Sequence, residues 1–304
     1  MRVLLSVACM SLAMMSMFCN GQPENKNAET MWRGSLMVWC DDAVSELMQS
    51  QFDAFSKKYP EAHIQVRVAS GREVMEALLS RKARLAVLAR TYLRDEDSLM
   101  KAFNVAPHRT LHIATDALVF FASKKLGSDT LSVEALREYF VAGTPLSSRV
   151  TGLTKETSLV LPGVLSSIVS NVIIQCNDGR AISPLAGVQF VGTTDSVKRY
   201  VRMHANTIGV GLLSELIKDT SEFKLLGIKY TDKDANRRSM LVEQSAVYRE
   251  MYPFPVKIES YLLEDLRNLP MGVASFLAYE TLPQQYFLKQ GIVPAYARIQ
   301  LIEE

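Results

Sequence analysis

Apolar and polar positions change period in blocks between Leu36 and Thr91, from strand to helix and back, with few residues left for connections. The first run, Leu36 to Cys40, is short and apolar, as a buried strand is. Asp41 and Asp42 follow at an N-cap position, where a carboxylate accepts the unpaired N–H groups of a first helical turn. Val44, Leu47, Met48, Phe52 and Phe55 then form one helical stripe that ends at Tyr59-Pro60. Ala62 to Val68 alternates as a strand, Ser70-Gly71-Arg72 turns the chain, and Val74, Leu78 and Leu79 mark a second helix. Leu85 to Leu88 is a third apolar run, closed by Arg90-Thr91. Strands alternating with amphipathic helices predict a parallel sheet covered on both faces. Ligands of such sheets sit beyond the carboxyl ends of the strands, which here are Cys40 to Ala43, Ser70 to Arg72 and Ala89 to Thr91.

Further along, Leu111 to Ser123 reads as one long strand with Asp116 inside it, long enough to cross from one lobe to another. Val133 to Phe140 opens a new set of helices, and Val150 to Leu153 is a strand candidate. The hydroxyl-rich Thr154 to Ser158 turn leads into the apolar segment Leu159 to Ile174, where Pro162-Gly163 delays any regular helix until Val164. Gly187 to Val191 reads as a strand, Thr193-Thr194-Asp195 as a cap, and Val197, Tyr200 and Val201 as the buried stripe of the next helix. The glycines of Asn206 to Leu213 predict a bend or a close backbone approach. Tyr230 to Arg238 is expected to be a surface loop and Val256 to Leu263 a strand. Val273 to Lys289 is expected to be one amphipathic helix ended by Gly291, with Pro294 beyond.

At 304 residues the chain holds one large domain or two modest ones, and its 48% hydrophobic content can fill a sizeable core. The net charge of +2, without a run of Lys or Arg, gives no case for nucleic acid or an anionic membrane surface. Arg2 before the apolar Val3 to Phe18 reads as a secretory signal over residues 1–19, followed by a polar linker, residues 20–33. Cys19 stands where bacterial lipoprotein signals place the lipidated cysteine, although Met17 and Phe18 replace the usual small residues. The alternative is ordinary cleavage nearby with Cys19 discarded. The mature part is then periplasmic or otherwise extracytoplasmic, with a lipid anchor as its one membrane contact. Cys40 and Cys176 read as small core hydrophobes, and the four histidines lack metal-site spacing, so neither metal nor cofactor is expected.

Several segments carry a likeness to a known family. They are Phe55 to Pro60, Leu85 to Arg90, Asp116-Ala117-Leu118-Val119, Ile208-Gly209-Val210 and Tyr252-Pro253-Phe254. The closing stretch Ala274 to Ala295 adds Ser275-Phe276-Leu277, Gln284, Gly291 and Val293-Pro294-Ala295. With these the chain resembles the phosphate-type substrate-binding proteins of ABC transporters, type II periplasmic binding proteins, over nearly the whole mature chain. The resemblance implies two α/β lobes, each a mostly parallel sheet flanked by helices, joined by crossing hinge strands. Residues 34–114 with 260–304 make lobe I, and 115–259 make lobe II. It implies a monomeric, non-enzymatic protein that closes on phosphate or a similar small oxyanion and delivers it to an ABC permease of the inner membrane. No nucleophile stands beside a base in the sequence to argue for hydrolysis.

Helix starts that bear hydroxyls can surround an anion with N–H and O–H donors, and an Arg adds a bidentate grip. On that pattern the ligand-binding candidates are Asp42, Ala43, Ser70, Gly71, Arg72, Arg90, Thr91, Lys155, Thr157 and Ser158. The sequence departs from the family at the same places. Its first turn is typically glycine, serine, serine, threonine, and here Cys40-Asp41-Asp42-Ala43 occupies it. The two carboxylates are N-caps pointing away, or one accepts the proton of a hydrogen phosphate, or the ligand is not phosphate. Ala89 replaces a customary hydroxyl, and no Arg follows Thr154 to Ser158 before Pro162. The alternative function is the same fold with a degenerate anion site, acting as a sensor or a surface lipoprotein for a different ligand.

Overall fold

The computed structural model describes residues 28–296. The expected signal peptide and Cys19 lie outside the described residues. The chain begins with strand β1 (Gly34–Asp41), a single 3-10 turn (Asp42–Val44), helix α1 (Ser45–Lys58), β2 (Ala62–Ala69), α2 (Gly71–Leu79), β3 (Leu85–Leu88) and α3 (Arg94–Ala102). β1 pairs in parallel with both β2 and β3, as the alternating pattern predicts. Every residue of β3 is buried, which explains its unbroken apolar run.

β4 (Arg109–Ser123) is the long strand, and it changes partners along its length. Arg109 to Ala117 runs antiparallel to β12 (Pro255–Leu262), whose other edge meets β3. Leu118 to Ala122 instead pairs with β8 (Thr207–Leu212), beside β6 (Ser158–Leu161) and β7 (Gln189–Phe190). β6 is parallel to both of its neighbours. Two parallel strand sets are therefore joined through the antiparallel pair β4 and β12, the two-lobed α/β architecture expected. Ala117 to Ala122 is completely buried where the strand passes between the lobes. Asp116 begins that stretch and is itself buried, its carboxylate accepting the N–H groups of Ala117 at 2.7 Å and Ser214 at 3.2 Å.

β5 (Thr130–Ser132), α4 (Val133–Ala142), α5 (Ser167–Asn171) with a continuing π turn (Val172–Cys176), α6 (Thr194–Met203) and α7 (Leu213–Leu216) build the second lobe. β9 (Phe223–Leu225) adds to β4, while β10 (Gly227–Thr231) and β11 (Arg237–Met240) form a small sheet with β5. α8 (Gln244–Tyr248) precedes β12, and α9 (Leu269–Tyr279), α10 (Thr281–Lys289) and β13 (Val293–Pro294) close the described chain.

Four expectations are corrected. Val150 to Leu153 is a turn and not a strand. Leu159 to Ile174 is strand first and helix only from Ser167, because a strand buried on both faces has the same unbroken apolar pattern as a buried helix. Tyr230 to Arg238 is a β-hairpin whose tip is held by Asp232. Val273 to Lys289 is split at Glu280, since Pro283 lacks the N–H that would bond Tyr279 and its ring would meet that carbonyl. α9 is buried almost all round and is capped by Asn268, which accepts the Met271 N–H. Asn268→Ala is expected to cost about 1 kcal/mol in chemical denaturation, the usual worth of an N-cap.

The expected linker is also docked from residue 28 onward. Both Glu29 carboxylate oxygens accept from Arg84 at 2.8 Å, and Trp32 stacks on Tyr59. Gly272 on α9 makes room for this segment, because a Cβ there would lie 1.8 Å from the Met31 carbonyl oxygen.

Candidate functional site

Asp41 closes β1 and is completely buried where the first-lobe turns meet the second lobe. Its Oδ1 accepts the Ala43 N–H at 3.2 Å, and its Oδ2 accepts the Ala89 N–H at 3.0 Å. The Ser167 hydroxyl, at the start of α5, donates to the same Oδ2. One carboxylate thus gathers donors from the first turn, the third turn and the facing lobe. Asn171, one helical turn after Ser167, reinforces the junction by donating to the carbonyls of Ala89 at 2.7 Å and Ser167 at 2.8 Å.

The second turn is closed by the facing lobe in the same way. The Arg72 N–H, at the start of α2, donates to the Leu165 carbonyl at 3.0 Å. Gly71 lies directly under Ser167, where a Cβ would come within 2.0 Å of its Oγ. Ser70 is spent on a capping box, its N–H and hydroxyl both donating to Glu73 at 3.0 and 2.6 Å.

The two arginines expected to grip an anion are held by the protein's own acids. Arg72 bonds Asp95 and Glu96. Arg90 is buried with its guanidinium forked onto both oxygens of Glu96 at 2.7 and 2.8 Å, and it donates further to the carbonyls of Gly71 and Thr91. Thr91 itself is exposed.

Lys155, Thr157 and Ser158 lie elsewhere. They stand at the start of β6, the end of that strand opposite the cleft, and Thr157 turns its hydroxyl to the Thr154 N–H at 3.1 Å. Their place as cap and contact is taken by Ser166 and Ser167, because the apolar stretch first makes a strand and a Pro162-Gly163 loop. Ser166 caps α5 by accepting the Val169 N–H at 3.2 Å. The signal available in the sequence was the hydroxyl pair just beyond Pro162-Gly163, at the last point where a helix could begin.

Beside the Asp41 junction lies an interlobe cavity of about 490 Å³, bordered by Asp42, Ala43 and Glu46 from one lobe and by Thr193, Lys198 and Glu215 from the other. Partial burial, and then the Asp41 charge, push Asp42 up to about 7. Burial pushes Glu215 up to about 8 against the lowering pull of the Leu212 N–H and Lys198. Lys198 is engaged by Asp219 at 2.9 Å and by the Glu215 carbonyl at 3.1 Å. The cavity is therefore not the cationic pocket that a strongly charged oxyanion would favour. Cys40 and Cys176 are buried free thiols, both raised by burial, and no group of three or more potential metal ligands occurs among the described residues.

Comparison with known proteins places the chain in a family. The model of a family described as the PBP superfamily domain matches residues 22–254. An ABC-type phosphate transport receptor from Vibrio cholerae is 12% identical, with 86% of this chain and 100% of that one covered at a TM-score of 0.64. A candidate phosphate ABC transporter substrate-binding protein from Clostridium perfringens, solved with bound phosphate, is 13% identical over 86% of this chain and 99% of that one, at a TM-score of 0.65. PstS from Borrelia burgdorferi is 12% identical over 86% and 99%, at 0.58. At such identities the likeness concerns the fold. No curated protein matches the sequence.

Proposed function

The chain belongs to the PBP superfamily, and from that membership we propose that it is an extracytoplasmic solute-binding protein of the ABC-import type whose solute is something other than free phosphate. The observation that carries this reading is the buried Asp41 carboxylate, which already accepts the donors of two first-lobe turns and of Ser167. A second anion at those donors would meet a fixed negative charge at hydrogen-bond distance, which like-charge repulsion in a dry site opposes. The solute then occupies the adjacent interlobe cavity, and a permease, or a sensory partner in its place, receives the closed form.

Phosphate capture is the second reading, favoured by the neighbour that holds phosphate in the same fold. Thermal unfolding separates the two. A ligand at about 100 times its Kd stabilises the native state by about 2.7 kcal/mol, a shift of several degrees. The expected result for the wild-type protein is no rise in Tm with millimolar phosphate or sulfate beyond a chloride control. A concentration-dependent rise with phosphate establishes the second reading instead.

No described helix is long and apolar enough to cross a membrane. Export and lipidation at Cys19 are part of the proposal, and mass spectrometry of the mature N-terminus tests them. An unmodified start downstream of Cys19 rejects the anchor.

A further inference from the structure

We propose that Asp41 is a tethered anion: its carboxylate takes the position of a soluble oxyanion between the lobes, holds them together without solute, and masks an oxyanion site formed by the Ala43 N–H, the Ala89 N–H and the Ser167 hydroxyl. The inference rests on the reading of the protein as a two-lobed solute binder and adds which residue sets its specificity.

Three observations carry it. The first is convergence. A carboxylate has about four lone-pair sites, and at Asp41 they collect donors from the β1–α1 turn, the end of β3 and the start of α5, segments far apart in sequence. An ordinary N-cap needs only the first of these, the Ala43 bond, and needs no burial. The second is the way the charge is neutralised. Asp41 is fully buried, and the bonds it accepts come from N–H and O–H dipoles without a Lys or Arg among them. A buried charge held by oriented neutral donors is the arrangement that receives a small oxyanion.

The third is the fit of the two lobes around that point. Gly71 touches the Ser167 side chain, the Arg72 N–H bonds the Leu165 carbonyl, and the Asn171 amide bonds the Ala89 carbonyl. The facing lobe thus packs directly on all three first-lobe turns, and Asp41 supplies the negative charge at their meeting point. The acid beside it is Asp42, its chain neighbour, whose carboxyl the Asp41 charge helps to raise. Asp41 itself would repel a second anion arriving there.

The ligand class of the masked site is a tetrahedral oxyanion, phosphate or sulfate, small enough to replace one carboxylate and the volume freed by shortening the side chain. Asp41→Ser removes the carboxylate while keeping a hydroxyl that can cap the turn. In the mature full-length protein, the variant is expected to unfold at lower temperature than wild type in chloride buffer and to recover stability with millimolar phosphate or sulfate, binding at least tenfold more tightly than wild type. Small-angle scattering is expected to give a larger radius of gyration for the variant, and a smaller one again on adding phosphate. Asp41→Asn keeps the bulk and is expected to gain no phosphate response.

A folded Asp41→Ser protein with no phosphate response and an unchanged radius overturns the proposal and leaves Asp41 a structural cap. Phosphate binding by the wild-type protein instead overturns the functional reading beneath it, so the two failures are distinguishable. Where Asp41→Ser does not fold, Ser167→Ala removes only the interlobe bond that Asp41 accepts. It is expected to expand the protein in solution, and an unchanged radius overturns the tether.

Discussion

Alanine in place of Arg90 is expected to lower the unfolding free energy by about 3 kcal/mol, the lower end of the roughly 3–5 kcal/mol lost when one partner of a buried ion pair is removed. The side chain is fully enclosed, and Glu96 is almost as deeply buried. Without the guanidinium, Glu96 keeps one oxygen on Arg72 at 2.8 Å and the Leu93 N–H at 2.9 Å, which is why the loss falls at the lower end. The carbonyl of Gly71 also loses two donors, at 2.9 and 3.3 Å, so the turn beneath Ser167 loosens. Urea unfolding measures the change as a lower midpoint at unchanged slope. A paired replacement, Arg90→Met with Glu96→Leu, is expected to recover much of the loss, because it leaves no unpaired buried charge. Stability equal to wild type in the single variant would mean that Arg90 is free, as a residue gripping a solute would be.

The distance between that expectation and the sequence-based one shows where sequence reading stops. Leu36 to Thr91 was legible because each strand and helix there buries its own face, so the pattern within each block states the element. β4 was legible from its length alone. The Leu159 to Ile174 segment was not, because strand and helix buried on all sides leave the same apolar run. At the site, the helix starts of the first lobe were readable as sources of donors. Which acceptors they meet was not, since Ser167 lies 126 residues from Asp41 and Asn171 lies 82 from Ala89. Arg90 is the exception. Its acid stands only six residues on, near enough in the sequence to be read as a local ion pair.

The same burial of acids that argues against a cationic pocket makes stability fall with rising pH above neutrality. Glu215 is held up to about 8 from an ordinary 4.5, Asp42 to about 7 and Asp116 to about 6 from 3.8, each chiefly by burial. A carboxyl raised in this way keeps its proton in the folded chain after the unfolded chain has lost it, so stability declines from the unfolded value up to the folded one. Burial lowers His112 from 6.5 to about 4 and lowers His108 as well, which gives the opposite slope, but only below 6.5. Between pH 6.5 and 8 the histidines no longer contribute, Asp116 has already ionised, and Glu215 dominates because Asp42 is the more exposed of the two. The wild-type protein is therefore expected to lose on the order of 2 kcal/mol across that interval, read as a falling Tm in buffers of matched ionic strength. Glu215→Gln is expected to flatten most of the slope, since the amide can still accept the Leu212 N–H and carries no charge to desolvate. A wild-type Tm that is level or rising from pH 6.5 to 8 would require Glu215 to ionise freely, and with it a cavity far more open to water than the close approach of the two lobes allows.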